Sequence, residues 1–344
     1  MEDTTLSNRK TDHLDINLQK DVSSNLTTGL ENFHFLHCAL PDLDLAEMDT
    51  GIEFLGRRLW SPLLISSMTG GTEAAGRINR NLALAAQENR IAMGVGSQRT
   101  ALQQPEMAHT FQVRSLAPDI LLFANLGTIQ LNYGYGVDEC KKVVEMLQAD
   151  GLILHLNPLQ EALQMEGNTN WKGLLHKLAR VVKALTVPVV VKEVGWGINA
   201  ELAKKLVDCG VAAIDVAGAG GTSWSQVEMF RTSDEHQRQI AADFRGWGIP
   251  TAESVRQVSK ALPHTPLIAS GGLRTGIDAA KCIALGADLA GMAGSLLKAA
   301  AISAEEASAT LQRMTRELKI TMFAAGIAGL RDLKHTPKLQ PWTK

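Results

Sequence analysis

The sequence predicts a (β/α)8 barrel, and three observations carry that expectation. Eight short apolar runs rich in Val, Ile and Leu recur from residue 62 onward. Each ends in small or polar residues, and amphipathic segments with apolar positions three and four apart lie between most of them. Eight strand–helix units over about 250 residues match the size of such a barrel. A doubly wound open sheet needs fewer strands and usually carries a GxGxxG turn after its first strand; none is present here.

The runs, in order, are PLLISS (62–67), IAMGVG (91–96), DILLFAN (119–125), GLILHL (151–156), PVVVKEV (188–194), AAIDVAG (212–218), PLIAS (266–270) and DLAGMAG (288–294). Continuous apolar runs of this kind suit strands covered on both faces. The helical segments are NRNLALAAQE, VDECKKVVEMLQ, GLLHKLARVVKAL, NAELAKKLVDCG, TAESVRQVSKAL and GIDAAKCIALGA, several of which end in Gly, a common helix stop. Residues 1–60 read as an N-terminal extension, to which the family resemblance given below assigns part of the substrate site, 61–320 as the barrel and 321–344 as a C-terminal tail. The connection from Gly218 to Gly248 is long enough to be a lid or binding loop.

Composition narrows the function. The 34 Lys and Arg nearly balance the 36 Asp and Glu, so no broad basic field exists to attract nucleic acid. The N-terminus lacks the apolar core of a signal peptide, and the longest apolar stretch, Leu289 to Leu297, is too short to cross a bilayer. A soluble, cytoplasmic protein is expected. The 4 cysteines show no CxxC or CxxH spacing and read as free thiols.

Barrel active sites stand at the carboxyl ends of the strands. There the sequence places Ser67-Met68-Thr69-Gly70, Ser97-Gln98-Arg99, Asn125, Lys192-Glu193, a GAGGTS turn (218–223), Ser270-Gly271-Gly272-Leu273-Arg274 and Ala293-Gly294-Ser295. Glycine-rich turns after strands seven and eight expose backbone N–H groups beside a helix start, the usual setting for a phosphate. Lys192 inside VVVKEV is costly to bury without a partner, so it reads as a Schiff-base lysine or as a cation facing an electron-rich group. Ser67, Met68, Thr69, Ser97, Asn125, Lys192 and Thr222 would then ring a planar cofactor with its phosphate at strands seven and eight, which suggests FMN. The stretch HLNPLQEALQMEGNTNW (155–171) puts His155, Asn157, Gln160 and Glu161 beside it, while Gln164, Glu166 and Asn168 read as partly solvated loop.

Taken in order, these motifs resemble type 2 isopentenyl diphosphate isomerases, the flavin-dependent form. The resemblance rests on Arg9-Lys10 with Asp12-His13, SSMTGG (66–71), SQR (97–99), Asn125, HLNPLQE (155–161), VKEVGWG (191–197), DVAGAGGTSW (215–224), SGGLRTGIDAAK (270–281) and AGS (293–295). It implies an FMN-bound barrel that uses reduced flavin, NADPH as reductant and Mg2+ to interconvert isopentenyl and dimethylallyl diphosphate. It further implies flavin contacts at Met68, Thr69, Gly70, Ser97, Asn125, Lys192, Thr222, Gly272, Arg274, Ala293 and Gly294. Arg9, Lys10, Ser97, Arg99, His155 and Gln160 would meet the diphosphate substrate, Glu161 would hold Mg2+, and Gln160, His155, Asn157 and Lys192 would carry the chemistry. A homo-oligomer, a tetramer or octamer, is implied as well. Residues 1–20 are polar and could fold only over bound diphosphate, so the sequence leaves their order without substrate open.

Rival functions make their own demands. A flavin-dependent 2-hydroxy acid oxidase calls for a His after strand six, where this chain has Gly218 to Ser223; His236 lies farther on. An inosine monophosphate dehydrogenase-like barrel requires a nucleophilic loop cysteine, and none of the four sits in such a loop. A non-catalytic flavin carrier has no use for Arg9, Lys10, Arg99 and Glu161 beside the cofactor.

Overall fold

Eight parallel strands close into one barrel in sequence order: β1 (Leu63–Ile65), β2 (Ala92–Gly94), β3 (Leu122–Gly127), β4 (Gly151–Leu156), β5 (Val189–Glu193), β6 (Ala213–Asp215), β7 (Leu267–Ser270) and β8 (Leu289–Met292). The computed structural model describes residues 2–342, with side chains from residue 9. Met1 and the last two residues of the expected tail therefore lie outside the described residues. Each strand falls within the run that predicts it, apart from β3, which continues past Asn125 to Gly127. Asn125 is thus inside a strand rather than at its end.

The interior follows from strand alternation. Leu64, Ala92, Phe123, Ile153, Val190, Ala213, Ile268 and Leu289, one from each strand, pack as a single apolar cluster. Burying each large side chain contributes about 1.5–3 kcal/mol. Two residues farther along, on the same inward side, stand Ser66, Gly94, Asn125, His155, Lys192, Asp215, Ser270 and Gly291. The barrel therefore changes from hydrocarbon to polar groups within one repeat of the strand period.

Helices Glu73–Asn89, Val137–Leu147, Leu174–Ala184, Ala200–Asp208, Thr251–Ala261 and Gly276–Ala284 occupy six connections. The link from β2 to β3 departs from this rhythm, with only Arg99–Gln103 and two 3-10 turns. Gly294–Ile302 and Ala304–Ala324 follow β8, so the expected boundary at residue 320 falls within a helix. The Gly218 to Gly248 connection is not an open loop. It contains helices Trp224–Arg231 and Glu235–Asp243.

The N-terminal extension covers both ends of the barrel. Its hairpin, Ile52–Phe54 with Arg57–Leu59, adds Phe54 and Leu59 to the inner apolar cluster and so closes the lower end. Helix Glu2–Gln19 lies at the upper end. It is held there by protein contacts, with Lys10 Nζ donating to the Gly70 and Ser97 carbonyls at 2.7 and 2.8 Å. Strand Phe33–Phe35 pairs with Leu339–Pro341, which joins the extension to the tail. Among the described residues, no helix is long and apolar enough to cross a membrane.

Candidate functional site

A cavity of about 890 Å³ opens at the carboxyl ends of the strands, roofed by helix Glu2–Gln19. Every expected site residue lines it. Arg9, Lys10 and Arg99 come from the roof and the turn after β2, and Ser67 to Gly70 and Ser97 from the first two strand ends. Asn125, His155, Asn157, Gln160, Glu161 and Lys192 form the floor and one wall. Thr222, Gly272, Arg274, Ala293 and Gly294 complete the side beyond β6.

The phosphate side has the features of an anion cradle. Helix Gly294–Ile302 starts without a side-chain cap, so its first N–H groups lack that partner. The Ser295 hydroxyl is buried without a hydrogen-bond partner, and a Cβ on Gly294 would meet nothing within 4 Å. Gly271 and Gly272 both have positive φ (105° and 76°), and a Cβ on either would strike backbone of the Gly218–Gly220 turn. The glycines thus bring two turns together beside the uncapped helix. Ser66 and Ser67 add two more buried hydroxyls without partners on the cavity wall. These groups fit the phosphate and polar edge of FMN.

The floor is electrically asymmetric. His155 Nδ1 stands 2.8 Å from Asn125 Oδ1. Burial, then the Lys192 and Lys10 charges, push the imidazole down to about 3, so it is neutral near pH 7. Lys192 Nζ donates to the Glu193 carbonyl at 2.6 Å. The Glu193 carboxylate accepts from the Val194, Gly195 and Trp196 N–H groups at 2.7, 2.7 and 2.5 Å. Burial raises that carboxyl, to about 7, against the pull of these donors.

Three cations meet at the mouth. Arg9 Nη1 donates to Gln164 Oε1 at 3.1 Å, and the buried Arg99 Nε has no partner. Burial, then Arg9 and Arg99, push the Lys10 ammonium down to about 7. Such mutual repulsion is relieved by a polyanion between them.

Below the mouth runs a chain of amides and carboxylates. Asn157 Nδ2 donates to Gln160 Oε1 at 3.2 Å and to Glu161 Oε1 at 3.0 Å, while Gln160 Nε2 donates to Glu228 Oε1 at 3.1 Å. Glu161 Oε2 accepts from the Asn168 N–H at 2.6 Å, and Asn157 Oδ1 is buried without a partner. Two oxygen groups, the Glu161 carboxylate and Asn157 Oδ1, thus suit a hard cation completed by substrate oxygens. No cluster of three or more His, Cys, Asp or Glu among the described residues makes a metal cage.

Sequence reasoning gave no site role to Gln164 or Glu228, and quoted His13 and Trp224 only as part of the family resemblance. Gln164, read as solvated loop, is buried on the cavity wall and bonds Arg9. His13 contacts Glu228 Oε1 at 3.0 Å and meets the Trp224 ring edge-on at 5.2 Å. Glu228, only 2% exposed, also accepts from Arg231 Nε at 2.8 Å. Burial pushes its carboxyl up, but His13 and Arg231 outweigh that and hold it below the usual range. Nothing local marked Glu228, because the connection that carries it reads as a loop. His236, the nearest substitute for an oxidase base, is exposed on helix Glu235–Asp243 and outside the cavity wall. Cys140 and Cys282 are buried free thiols, pushed up by burial and outside the site.

The family described as FMN-dependent dehydrogenase matches residues 143–339. An isopentenyl-diphosphate delta-isomerase of Synechococcus sp. is 54% identical over 340 residues, covering 98% of each chain. Another of the same name from Nostoc sp. is 52% identical over 337 residues, covering 96% of this chain and 95% of that one. A solved lactate oxidase of Pediococcus acidilactici superposes with a TM-score of 0.67 at 17% identity, covering 96% of this chain and 87% of that one. Mandelate oxidase with (S)-2-phenylpropionate gives 0.68 at 16%, covering 99% and 98%. At that identity the oxidases share the barrel, and the site chemistry has to be argued separately.

Proposed function

Because this chain belongs to the isopentenyl-diphosphate delta-isomerases, in their FMN-dependent form, we propose that its cavity shifts the substrate double bond by a 1,3-allylic proton transfer. In this reading NADPH supplies the electrons that reduce FMN, and Mg2+ rides on the diphosphate. The observation that carries it is the meeting of Arg9, Lys10 and Arg99 above an FMN-shaped cradle, with one buried carboxylate, Glu161, at the border.

The substrate is a small alkene on a highly charged head. Arg9, Lys10 and Arg99 bind the head, where guanidinium forks suit phosphate oxygens. Glu161 and Asn157 offer oxygens to Mg2+. Gln160, held between Asn157 and Glu228, reaches the reacting carbons. His155 stays neutral and orients the head group from the floor, where rotation of the Asn125 amide decides which imidazole nitrogen carries the proton. Lys192, on the cavity wall, would offer a cation to bound flavin. When bound, reduced FMN supplies a proton-exchanging ring nitrogen and an electron-rich face that favours positive charge developing on carbon. Helix Glu2–Gln19 roofs the cavity and restricts water from the reacting alkene.

The test is an anaerobic assay of isopentenyl diphosphate isomerisation with FMN and Mg2+, with and without NADPH. Turnover confined to the reduced enzyme is expected. Equal turnover by the oxidised enzyme would overturn the role given to the flavin.

The proposal extends to assembly as a tetramer or octamer. Exposed Trp247 and Leu175 rim an apolar groove of about 780 Å³, a surface suited to burial against another copy. Light scattering that returns only a monomer would reject this.

A further inference from the structure

We propose that Asp215 is a positioning residue for Lys192, serving as the counter-charge that sets how strongly the Lys192 ammonium acts on whatever lies above it. The proposal rests on the flavin reading given above. Asp215 is 0% exposed at the end of β6. A carboxylate so placed is costly unless it is paired. Its Oδ1 accepts from the Ser270 hydroxyl at 2.6 Å and from the Ala217 N–H at 3.2 Å. Its Oδ2 is buried with no partner.

A cation able to serve that carboxylate stands in register on the next strand. Lys192 and Asp215 are in direct register, and both follow inward-facing members of the apolar cluster, Val190 and Ala213, by two residues. Both side chains therefore point to the same side of the sheet. Lys192 uses one N–H on the Glu193 carbonyl, which leaves two of its three donors. Burial raises the Asp215 carboxyl, and the Lys192 charge is the largest influence that opposes this. The other ionisable groups facing the pair are His155, in register with Lys192 on β4, and Glu193 on the same strand. His155 is neutral, and the Glu193 carboxylate feels the Lys192 charge but is held by the N–H groups of its own loop, so Asp215 is the carboxylate on the ammonium's own side of the sheet.

Two consequences separate this from an acid with a purely structural role. With Asp215 ionised, the Lys192 field is partly cancelled. Asp215→Asn removes the cancellation, so bound reduced flavin should ionise at lower pH, by about one unit, a tenfold change in its proton equilibrium. Asp215 acts through the Lys192 ammonium, so Asp215→Asn in a Lys192→Met background should move nothing.

The experiment is an anaerobic absorbance titration of reduced holoenzyme against pH for wild type, Asp215→Asn, Lys192→Met and the double variant. A downward shift in the single Asn variant that vanishes in the double variant supports the proposal. An unchanged titration in Asp215→Asn, or the same shift in both backgrounds, overturns it. Should Asp215→Asn fail to fold, Ser270→Ala removes the hydroxyl that supports the ionised carboxylate. It should shift the titration in the same direction by less, and no shift there overturns the proposal too. Failure of wild type to bind FMN would instead reject the underlying flavin reading.

Discussion

The Gln160 amide donates to Glu228 Oε1 at 3.1 Å, across 68 residues of chain, and the same oxygen meets His13 at 3.0 Å from the roof helix. One buried carboxylate thus fixes a residue from the β4 loop and a residue from the N-terminus. Gln160→Ala is expected to lower kcat by roughly 10²-fold with a smaller change in KM, since the proposed function gives the amide a role at the reacting carbons. Glu228→Gln keeps the shape but removes the charge that orients Gln160 and His13, and should likewise act on kcat. Steady-state kinetics with equal kcat and raised KM would contradict both.

Arg9→Ala and Lys10→Ala should act the other way, raising KM by roughly 10–100-fold, as befits loss of a charged hydrogen bond. Lys10 adds a pH signature. Its pKa in the free protein is lowered to about 7, so the ammonium is present below about 7 and is lost as pH rises. kcat/KM should fall through that range in wild type, and Lys10→Ala should lack this step. Stability has the opposite sign. The lowered pKa means that a buried ammonium penalises the fold at low pH, and the penalty fades as pH rises from about 7 toward the ordinary lysine value.

His155, lowered to about 3, makes a separate prediction. The unfolded chain takes up a proton near the ordinary value of 6.5, while the folded chain does not until about pH 3. Its contribution is therefore complete above about 6.5 and is lost as pH falls toward 3. Urea midpoints measured from pH 7 to 4 should fall less steeply in His155→Gln than in wild type.

Two glycines separate cofactor binding from folding. A Cβ on Gly294 faces open space, so Gly294→Ala should leave the Tm of the apoprotein unchanged while weakening FMN binding by roughly tenfold. A Cβ on Gly221 would lie 2.6 Å from the Gly272 backbone nitrogen, so Gly221→Ala should lower that Tm. Thermal melts with FMN titrations by fluorescence check both.

Glu161→Gln should weaken the response to Mg2+ and raise KM if, as proposed, that carboxylate is the charged ligand for the ion. A titration of rate against Mg2+ identical to wild type would exclude Glu161 as a ligand.

The barrel was legible because its signals are local. Val189–Val191 and Leu152–Leu154 are apolar on both faces, which only a strand covered on both sides requires. Lys192 and Asn125 were legible for the complementary reason, being polar where hydrocarbon is expected. Arg9 and Lys10 were found only through family resemblance, since a basic pair in a polar N-terminus carries no pattern of its own. Gln164 was misread because its burial depends on Arg9, 155 residues away.

The sequence by itself determined the eight strands, the apolar interior and the glycine-rich turns, because periodicity and backbone freedom act over a few residues. Only the tertiary structure decided the rest. It laid helix Glu2–Gln19 over the cavity, folded the Gly218 to Gly248 connection into two helices, and brought Glu228 to Gln160 and Asp215 beside Lys192. Those pairings come from strand register and long-range packing, where the free energy of burying a charge depends on the partner that closure of the barrel supplies.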